Sequence, residues 1–457
     1  MNTESGGAVL KYHRGYTRLF ITGIINGIGD RFSQVAMLSL VLHLTGSGLA
    51  VGISLGVRVL PFLLLAPLGG MLGGRLPRKM IMIATDLLRV PVALAFLWVD
   101  GPDKIWVIYA ASFLLAAGEA IYSPIRKSSI PLLVNRERLL AVNGMEQLMM
   151  GIVLILGAFA GGVVSLWFGP QWAFMLNAVS FLLAALLLAG IHFPQGHGSS
   201  ADGKQAQAQE QSEEYDQGQA QGQAQGQAQE QAQEHGQSQA QAFARSTPFS
   251  PSLRSIWGIV SGSIVLQIIF AFELLVPLVN GLDNVLISVY AVQEFGAGDA
   301  GVGAFYGALG IGLSLSFLAG RLMHKRLLLG ALGGLLLEGI LLIAVSYSGS
   351  FVAVFGLYIL LAFTGGIGNA CLDTLLMRET PAIYQPIIFG WLTAVSSTLL
   401  GLSMFGAGLV LETMKPRQLG LWGGVGFVCI ALILSVYAKI SMNKKKDGSI
   451  TVPWKSL

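Results

Sequence analysis

Asp30, Asp86, Glu119, Glu146, Glu273, Asp283, Glu338 and Asp373 all fall inside long apolar stretches of a 457-residue chain. A charge in hydrocarbon costs roughly 2.5–3.5 kcal/mol on insertion scales, so each must face protein or a wet cavity. A carboxyl so placed is suited to moving a proton, because desolvation favours its neutral form and a nearby cation its ionised form. Asp30, followed by Arg31, lies near the middle of the first apolar stretch. A standing pair with Arg58 or Arg89 is the structural alternative for it. Asp283 with Asn284 lies close to the repeat-equivalent of Asp30, which predicts the two acids facing one another across a central cavity. Glu119 and Glu273 complete the candidates for proton coupling. Asp86 and Arg89, three apart, are expected to pair within one helix near its cytoplasmic end.

The elements that carry these residues are membrane spans. Apolar residues make up 53% of the chain and charged residues 11%, too little polar surface for a soluble fold. Windows of spanning length occur at 18–44, 48–73, 80–99, 105–124, 140–167 and 172–192, then at 264–295, 299–320, 327–346, 351–376, 386–410 and 418–440. Barrel strands would be short and alternating, and these runs are long and continuous. The expected fold is therefore an all-α membrane protein of twelve transmembrane helices in two six-helix bundles. Residues 1–17 form a cytoplasmic N-terminus, 18–192 and 263–441 the bundles, and 442–457 a cytoplasmic tail. Between the bundles, 193–251 is rich in Gln, Ala and Gly and is expected to be a disordered cytoplasmic tether. The segment 252–262 reads as a short interfacial helix leading into span seven.

Lys and Arg set the orientation. Arg75, Arg78, Lys79, Arg126, Lys127, Arg136, Arg138, Arg321, Lys325, Arg326 and Arg378 fall on one side with both termini, which the positive-inside rule makes cytoplasmic. Trp98, Trp106, Trp167, Trp172 and Trp422 fall at the outer ends, where indole favours the headgroup layer. The net charge of +4 then belongs to loops facing anionic lipid, with no nucleic-acid patch. Cys371 and Cys429 lie inside spans and suggest neither disulfide nor metal; no cofactor is expected.

The halves repeat. Gly74-Arg75-Leu76-Pro77-Arg78-Lys79 ends the second span of one half and Gly320-Arg321-Leu322-Met323-His324-Lys325 that of the other, with Ala50-Val51-Gly52 matching Gly301-Val302-Gly303 upstream. Parallel repeats of this kind place a site at their interface near the midplane. The turn from Gly70 to Lys79 resembles the signature G-x-L-A-D-R-x-G-R-K of the major facilitator superfamily, with Gly74 at the family's Asp. More narrowly, Gly29-Asp30, Thr45-Gly46-Ser47, Asp86-Leu87-Leu88-Arg89, Pro124, Ile130-Pro131, Asn143, Asn177 and Ser180-Phe181 resemble the branch of macrolide-efflux and enterobactin-exporter proteins. The family's G-P-x-x-G-G of span five appears from Gly157 to Gly162, including Gly161, with Ala158 in place of Pro.

The resemblance implies a monomeric exporter of an amphipathic small molecule in the bacterial cytoplasmic membrane, driven by proton antiport. Gly70, Gly74, Arg75, Arg78, Lys79, Asp86 and Arg89 would form its cytoplasmic gate, and Gly157, Gly161 and Gly162 a helix-packing gate. Phe174, Phe181, Phe270, Phe272 and Trp391 are candidates to line a lipophilic cavity. A lipid flippase or solute importer on the same scaffold is the nearer alternative. A receptor is a third class, and an intramembrane serine protease a remote one, resting on Gly52-Ile53-Ser54-Leu55-Gly56 and His43. No Walker-A sequence occurs, which leaves an ion gradient rather than ATP as the drive. The turns at Lys79 and Lys325 are expected on one face of the membrane. Impermeant labelling of Lys79→Cys and Lys325→Cys from a single side should modify both, and labelling from opposite sides would contradict the parallel repeat.

Overall fold

A computed structural model describes residues 13–45, 48–193, 253–319, 323–324 and 326–446. Helix follows helix because apolar side chains run unbroken through each segment, and in lipid only an intrasegment ladder satisfies the backbone. The first half comprises α1 (Arg14–Thr45), α2 (Gly48–Val57), α3 (Leu60–Arg75), α4 (Arg78–Ala95), α5 (Ile105–Leu133), α6 (Leu139–Phe168) and α7 (Pro170–Ala189). After α8 (Leu253–Gly262), the second comprises α9 (Ile264–Val289), α10 (Gly298–Ala319), α11 (Leu327–Tyr347), α12 (Phe351–Glu379), α13 (Gln385–Val410) and α14 (Pro416–Lys446). Ten stretches among the described residues are long and apolar enough to cross a membrane. The 32-residue α1 and the α2–α3 pair are the remaining segments where spans were expected, which is compatible with twelve.

The expected second span, 48–73, is not one helix. It breaks at Arg58 and Val59 between α2 and α3. Pro61 is the reason: its ring has no N–H and collides with the carbonyl four residues back, at Val57. Span four errs the other way. The window ended at Pro124, but α5 runs through Pro124 and Pro131 to Leu133. Neighbouring helices in a bundle make such prolines tolerable. Arg126 and Lys127 are consequently helical, the first buried and the second half-exposed, where the sequence placed them in a loop. At the chain ends α1 starts at Arg14 and α14 continues to Lys446, a few residues beyond the expected bundle limits. The tether at 193–251 lies outside the described residues except for Phe193.

Packing shows the repeat directly. In the first half α1 packs on α7 and α6, α4 on α7 and α5, and α3 on α5. In the second half α9 packs on α14 and α13, α11 on α14 and α12, and α10 on α12. Each first-half pair has its counterpart at the same place in the second. The halves meet through α3 on α13 and α10 on α6, again equivalent pairs, with α13 on α5 and α12 on α6 beside them.

Small residues make these cross-half contacts possible, since without a hydrophobic drive in lipid the helices are held by close packing. A Cβ on Gly70 would stand 2.4 Å from the Pro386 carbonyl oxygen, and one on Gly390 would stand 2.5 Å from that of Ala66. On the other seam a Cβ on Gly151 would lie 2.4 Å from the Gly310 carbonyl oxygen. Farther along α10, Gly303 and Gly307 look onto open space. The halves therefore touch from the Arg78 end to mid-span, and α10 stands clear beyond it. Four tryptophans, Trp98, Trp106, Trp172 and Trp422, are exposed at helix ends away from Arg78. The side chain of Trp167 lies outside the described set.

Gly70→Val should push α3 off α13 at a cost of about 1–3 kcal/mol to the closed contact. Spin labels on Arg136→Cys and Arg378→Cys, with Cys371→Ser and Cys429→Ser, should then report a longer separation than in the parent.

Candidate functional site

Arg89 of α4 is the centre of the membrane-embedded charges. It is 2% exposed and sits where α1, α4 and α5 converge. Its Nη2 donates to Asp30 Oδ2 of α1 at 2.9 Å and lies 3.1 Å from Glu119 Oε2 of α5. Asp86, one turn back on α4, is 3.8 Å from Nη1, and its Oδ1 accepts from Asn26 Nδ2 at 3.0 Å. The guanidinium plane rests 4.4 Å from the centroid of Phe181, and the side chain crosses α5 at Gly118, where a Cβ would come within 2.8 Å of Arg89 Cδ. Three carboxylates thus surround one fixed cation. Arg58, at the α2–α3 break, is within electrostatic reach of Asp30, Arg89 and Glu119.

Exposure divides the acids. Asp86 is fully buried, whereas Asp30 keeps 22% and Glu119 37% of its side-chain surface open. The expected Asp86–Arg89 pair is present but longer than the bonds to the other helices. Asp86 also lies about 12 Å along α4 from Arg78, too far to stand in for the signature loop's missing carboxylate. Asp30 takes the Arg89 pairing that the sequence left as one of its two readings.

A second cluster lies toward the Arg78 end. Arg126 binds Glu146 of α6 with two bonds, Nη1 to Oε2 at 2.6 Å and Nη2 to Oε1 at 3.2 Å, and Tyr16 of α1 donates to Glu146 Oε1 at 3.1 Å. Next to it, Lys127 crosses to the second half and meets both Asp373 oxygens, at 3.2 and 3.3 Å. Glu273 of α9 lies within electrostatic reach of Lys127 and Asp373 and is bonded to Ser396. Asp283 is placed differently from the sequence expectation. It accepts from Tyr358 at 3.5 Å within the second half, beside Glu338, while Asp30 is held by Arg89 in the first. Asn284 donates to its own helix at the Asn280 carbonyl, and Arg31 to Gln34.

The signature loop works through backbone acceptors. Arg78 donates to the Ser128 carbonyl at 2.5 Å and to that of Ala382 in the second half at 3.5 Å, while Lys79 donates to Ala189 at 2.5 Å. Arg136 and Arg378 each donate to the other's carbonyl across the halves, and Asn143 donates to Thr374 at 2.9 Å. Arg75 is exposed. Gly74, at the family's Asp position, has only Ile387 within contact distance of a built Cβ. Gly157 packs on Arg31 and Ile28 of its own half, so on α6 the half-to-half contacts fall at Gly144 and Gly151 instead. The surroundings of Gly161 and Gly162 are outside the described side chains. Phe174 stacks on Phe96 at 4.6 Å inside the first half and Phe181 lies under Arg89, so both are packing residues. Ser54 is fully buried and donates to the Ala50 carbonyl at 2.9 Å, which occupies the hydroxyl a protease would need.

Sequence reading missed Tyr16, Asn26, Gly118, Tyr122 and Tyr358, all neutral residues. One signal was available: Glu119, Tyr122 and Arg126 are spaced i, i+3 and i+7, a polar stripe along one helix face.

Residues 19–404 match the model of the Major Facilitator Superfamily. The chain belongs to this superfamily. It is 22% identical over 181 residues to the uncharacterized MFS-type transporter YfiS of Bacillus subtilis, covering 39% of this chain and 43% of that protein. It is 26% identical over 168 residues to macrolide efflux protein A of Streptococcus pyogenes, covering 35% and 40%. The chain thus spans about two fifths of the length of these relatives in the matched region. The human organic anion transporter MFSD10 (TETRAN) has the same fold, with a TM-score of 0.67, 14% identity, and coverage of 92% of this chain and 99% of that one. The family match and the shared fold agree on a multi-pass helical membrane protein.

Removing the Arg89 charge should be far more damaging than removing one partner acid. Arg89→Leu leaves buried Asp86 without its cation, a loss of about 3–5 kcal/mol. A markedly lower unfolding temperature in detergent is expected, and Asp86→Asn added to Arg89→Leu should recover part of it.

Proposed function

We propose that this transporter exports an amphipathic small molecule across the cytoplasmic membrane by proton antiport and alternating access. The observation that carries the reading is the surplus of acid around Arg89: Asp30 and Glu119 share one guanidinium and both keep part of their side-chain surface exposed. A carboxylate that shares its cation and reaches water can exchange a proton against an arriving cargo, because each changes the balance the other meets. The likeness to a macrolide efflux protein favours export.

In this reading the basic ends are cytoplasmic, and the contacts at Gly70, Arg78, Arg136 and Arg378 close the inner side. Lys127 with Asp373 joins the halves just inside that seal. Inward opening must part α3 from α13 and α6 from α10, breaking this bridge and the backbone bonds of Arg78 and Arg136. Helix α8 lies along the cytoplasmic interface in this scheme, its Trp257 directed outward.

Asp30→Asn should abolish resistance to the exported compound in cells while leaving membrane insertion normal. Collapse of the proton gradient should make parent cells accumulate the compound, and no change on collapse would favour a flippase or facilitated pathway. Profiling against macrolides, siderophores and amphipathic peptides identifies the cargo.

A further inference from the structure

A cavity of about 420 Å³ lies on the seam between the halves at their basic end, lined by Arg136, Glu137, His324, Arg378 and Glu379. Arg136 and Glu137 stand in the short turn before α6, His324 between α10 and α11, and Arg378 and Glu379 in the last turn of α12. The first half supplies two of these residues and the second half three. Two guanidiniums from opposite halves are thus held at one opening.

Among the described residues these two arginines bond to backbone carbonyls and not to carboxylates. Arg136 Nη2 donates to the Arg378 carbonyl, and Arg378 Nη2 to the Arg136 carbonyl at 3.2 Å, which leaves both charges unneutralised. Each guanidinium carries five donors in a rigid fork, so most of them remain for a ligand. Nε of Arg378 is closed off from solvent without a partner among the described residues, a donor already desolvated. Two like charges side by side repel, and an anion between them turns the repulsion into attraction. Of the two acids in the lining, Glu379 Oε2 accepts from Ser263 Oγ at 3.2 Å. Two guanidiniums and an imidazole therefore stand against two carboxylates, which favours a singly charged anion over a dianion. A phosphodiester or monoanionic phosphate has that charge, and its paired oxygens fit the arginine fork. Basic pockets between spanning helices at the cytoplasmic side are also where phospholipid headgroups are held.

We propose that this cavity binds one phosphate group, from a phospholipid headgroup or from free phosphate, and that the bound group fastens the two halves together. Arg136 holds it from the first half and Arg378 from the second, with His324 as a further donor. Parting α6 from α10 and α3 from α13 draws the two arginines apart, so the site is whole only while the basic ends are closed. A ligand that prefers one arrangement shifts the protein toward it, and closure raises the affinity by the same factor. Phosphate at this site is then a brake on opening. Its placement in the inner leaflet rests on the orientation proposed above; binding and fastening rest on neither proton antiport nor cargo.

Calorimetric titration of the full chain, freed of lipid in an uncharged detergent, with inorganic phosphate at constant ionic strength tests the site. The parent should show one saturable site, weakened at least about tenfold in Arg136→Gln and in Arg378→Gln. Arg136→Lys, which keeps the charge and loses the fork, should fall between. Lys439→Gln, which removes an exposed cation elsewhere at the same end, should bind as the parent does. No saturable binding in the parent, or equal binding in parent and both Gln variants, overturns the site. Spin labels on Leu186→Cys and Ile440→Cys, with Cys371→Ser and Cys429→Ser, report the spread of the halves. Phosphate should shift their distances shorter in the parent and not with Arg378→Gln added; no shift in the parent overturns the fastening. Native mass spectrometry from phosphatidylcholine and phosphatidylglycerol nanodiscs distinguishes the sources. One retained phospholipid, lost in both Gln variants and displaced by phosphate, supports the site as a headgroup site. No retained phospholipid with the calorimetric site intact supports it as a site for free phosphate. Phosphate binding in a parent without gradient-driven transport refutes the antiport reading and leaves the site standing.

Discussion

The buried guanidinium of Arg89 is the constraint around which the first half is built. Desolvating a cation is costly unless it is paired and hydrogen-bonded, so the surrounding helices must deliver acceptors to one point. Asp30 comes from α1, Asp86 from the same helix, and Glu119 from α5. Gly118 supplies the gap through which the side chain passes, and Phe181 of α7 closes the other face of the guanidinium. Four helices are thereby fixed relative to one charge. The same arrangement leaves more acid than base at the site.

The two halves meet a different constraint, that of packing closely against each other in lipid. Their seams rest on glycine against backbone, at Gly70 and Gly390 on one side and Gly151 and Gly310 on the other. Contacts of this type give up little when separated in lipid, because no large apolar surface passes into water. Polar links at the basic end add specificity: Lys127 with Asp373, Asn143 with Thr374, and the exchanged carbonyl bonds of Arg136 and Arg378. The equivalence of the seams follows from the repeated sequence.

Most of the helices were legible because bilayer thickness demands long apolar runs and the chain contains them. The exceptions have local causes. Pro61 breaks span two at its fourth preceding carbonyl, whereas Pro124, read as an end, is carried through by the packing around α5. That one boundary put Arg126 and Lys127 on the wrong side of a helix end and hid both of their ion pairs. Candidate acids were found readily, since charge in an apolar run stands out. Their partners were not, because Tyr16, Asn26 and Gly118 are unremarkable in a membrane helix until the neighbour they face is known.

By composition and periodicity alone, the chain determined that it is helical, membrane-embedded and duplicated, and that its ionisable residues must be sheltered. These follow from the solvent and from the length of each run, and need no knowledge of neighbours. Which acid meets which base was decided only by tertiary structure: Asp30 belongs with Arg89 and not with Asp283, and Lys127 belongs with the opposite half. Pairing depends on the rotation of each helix about its axis and on the close approaches that glycine permits, and neither is written in the order of residues along one helix.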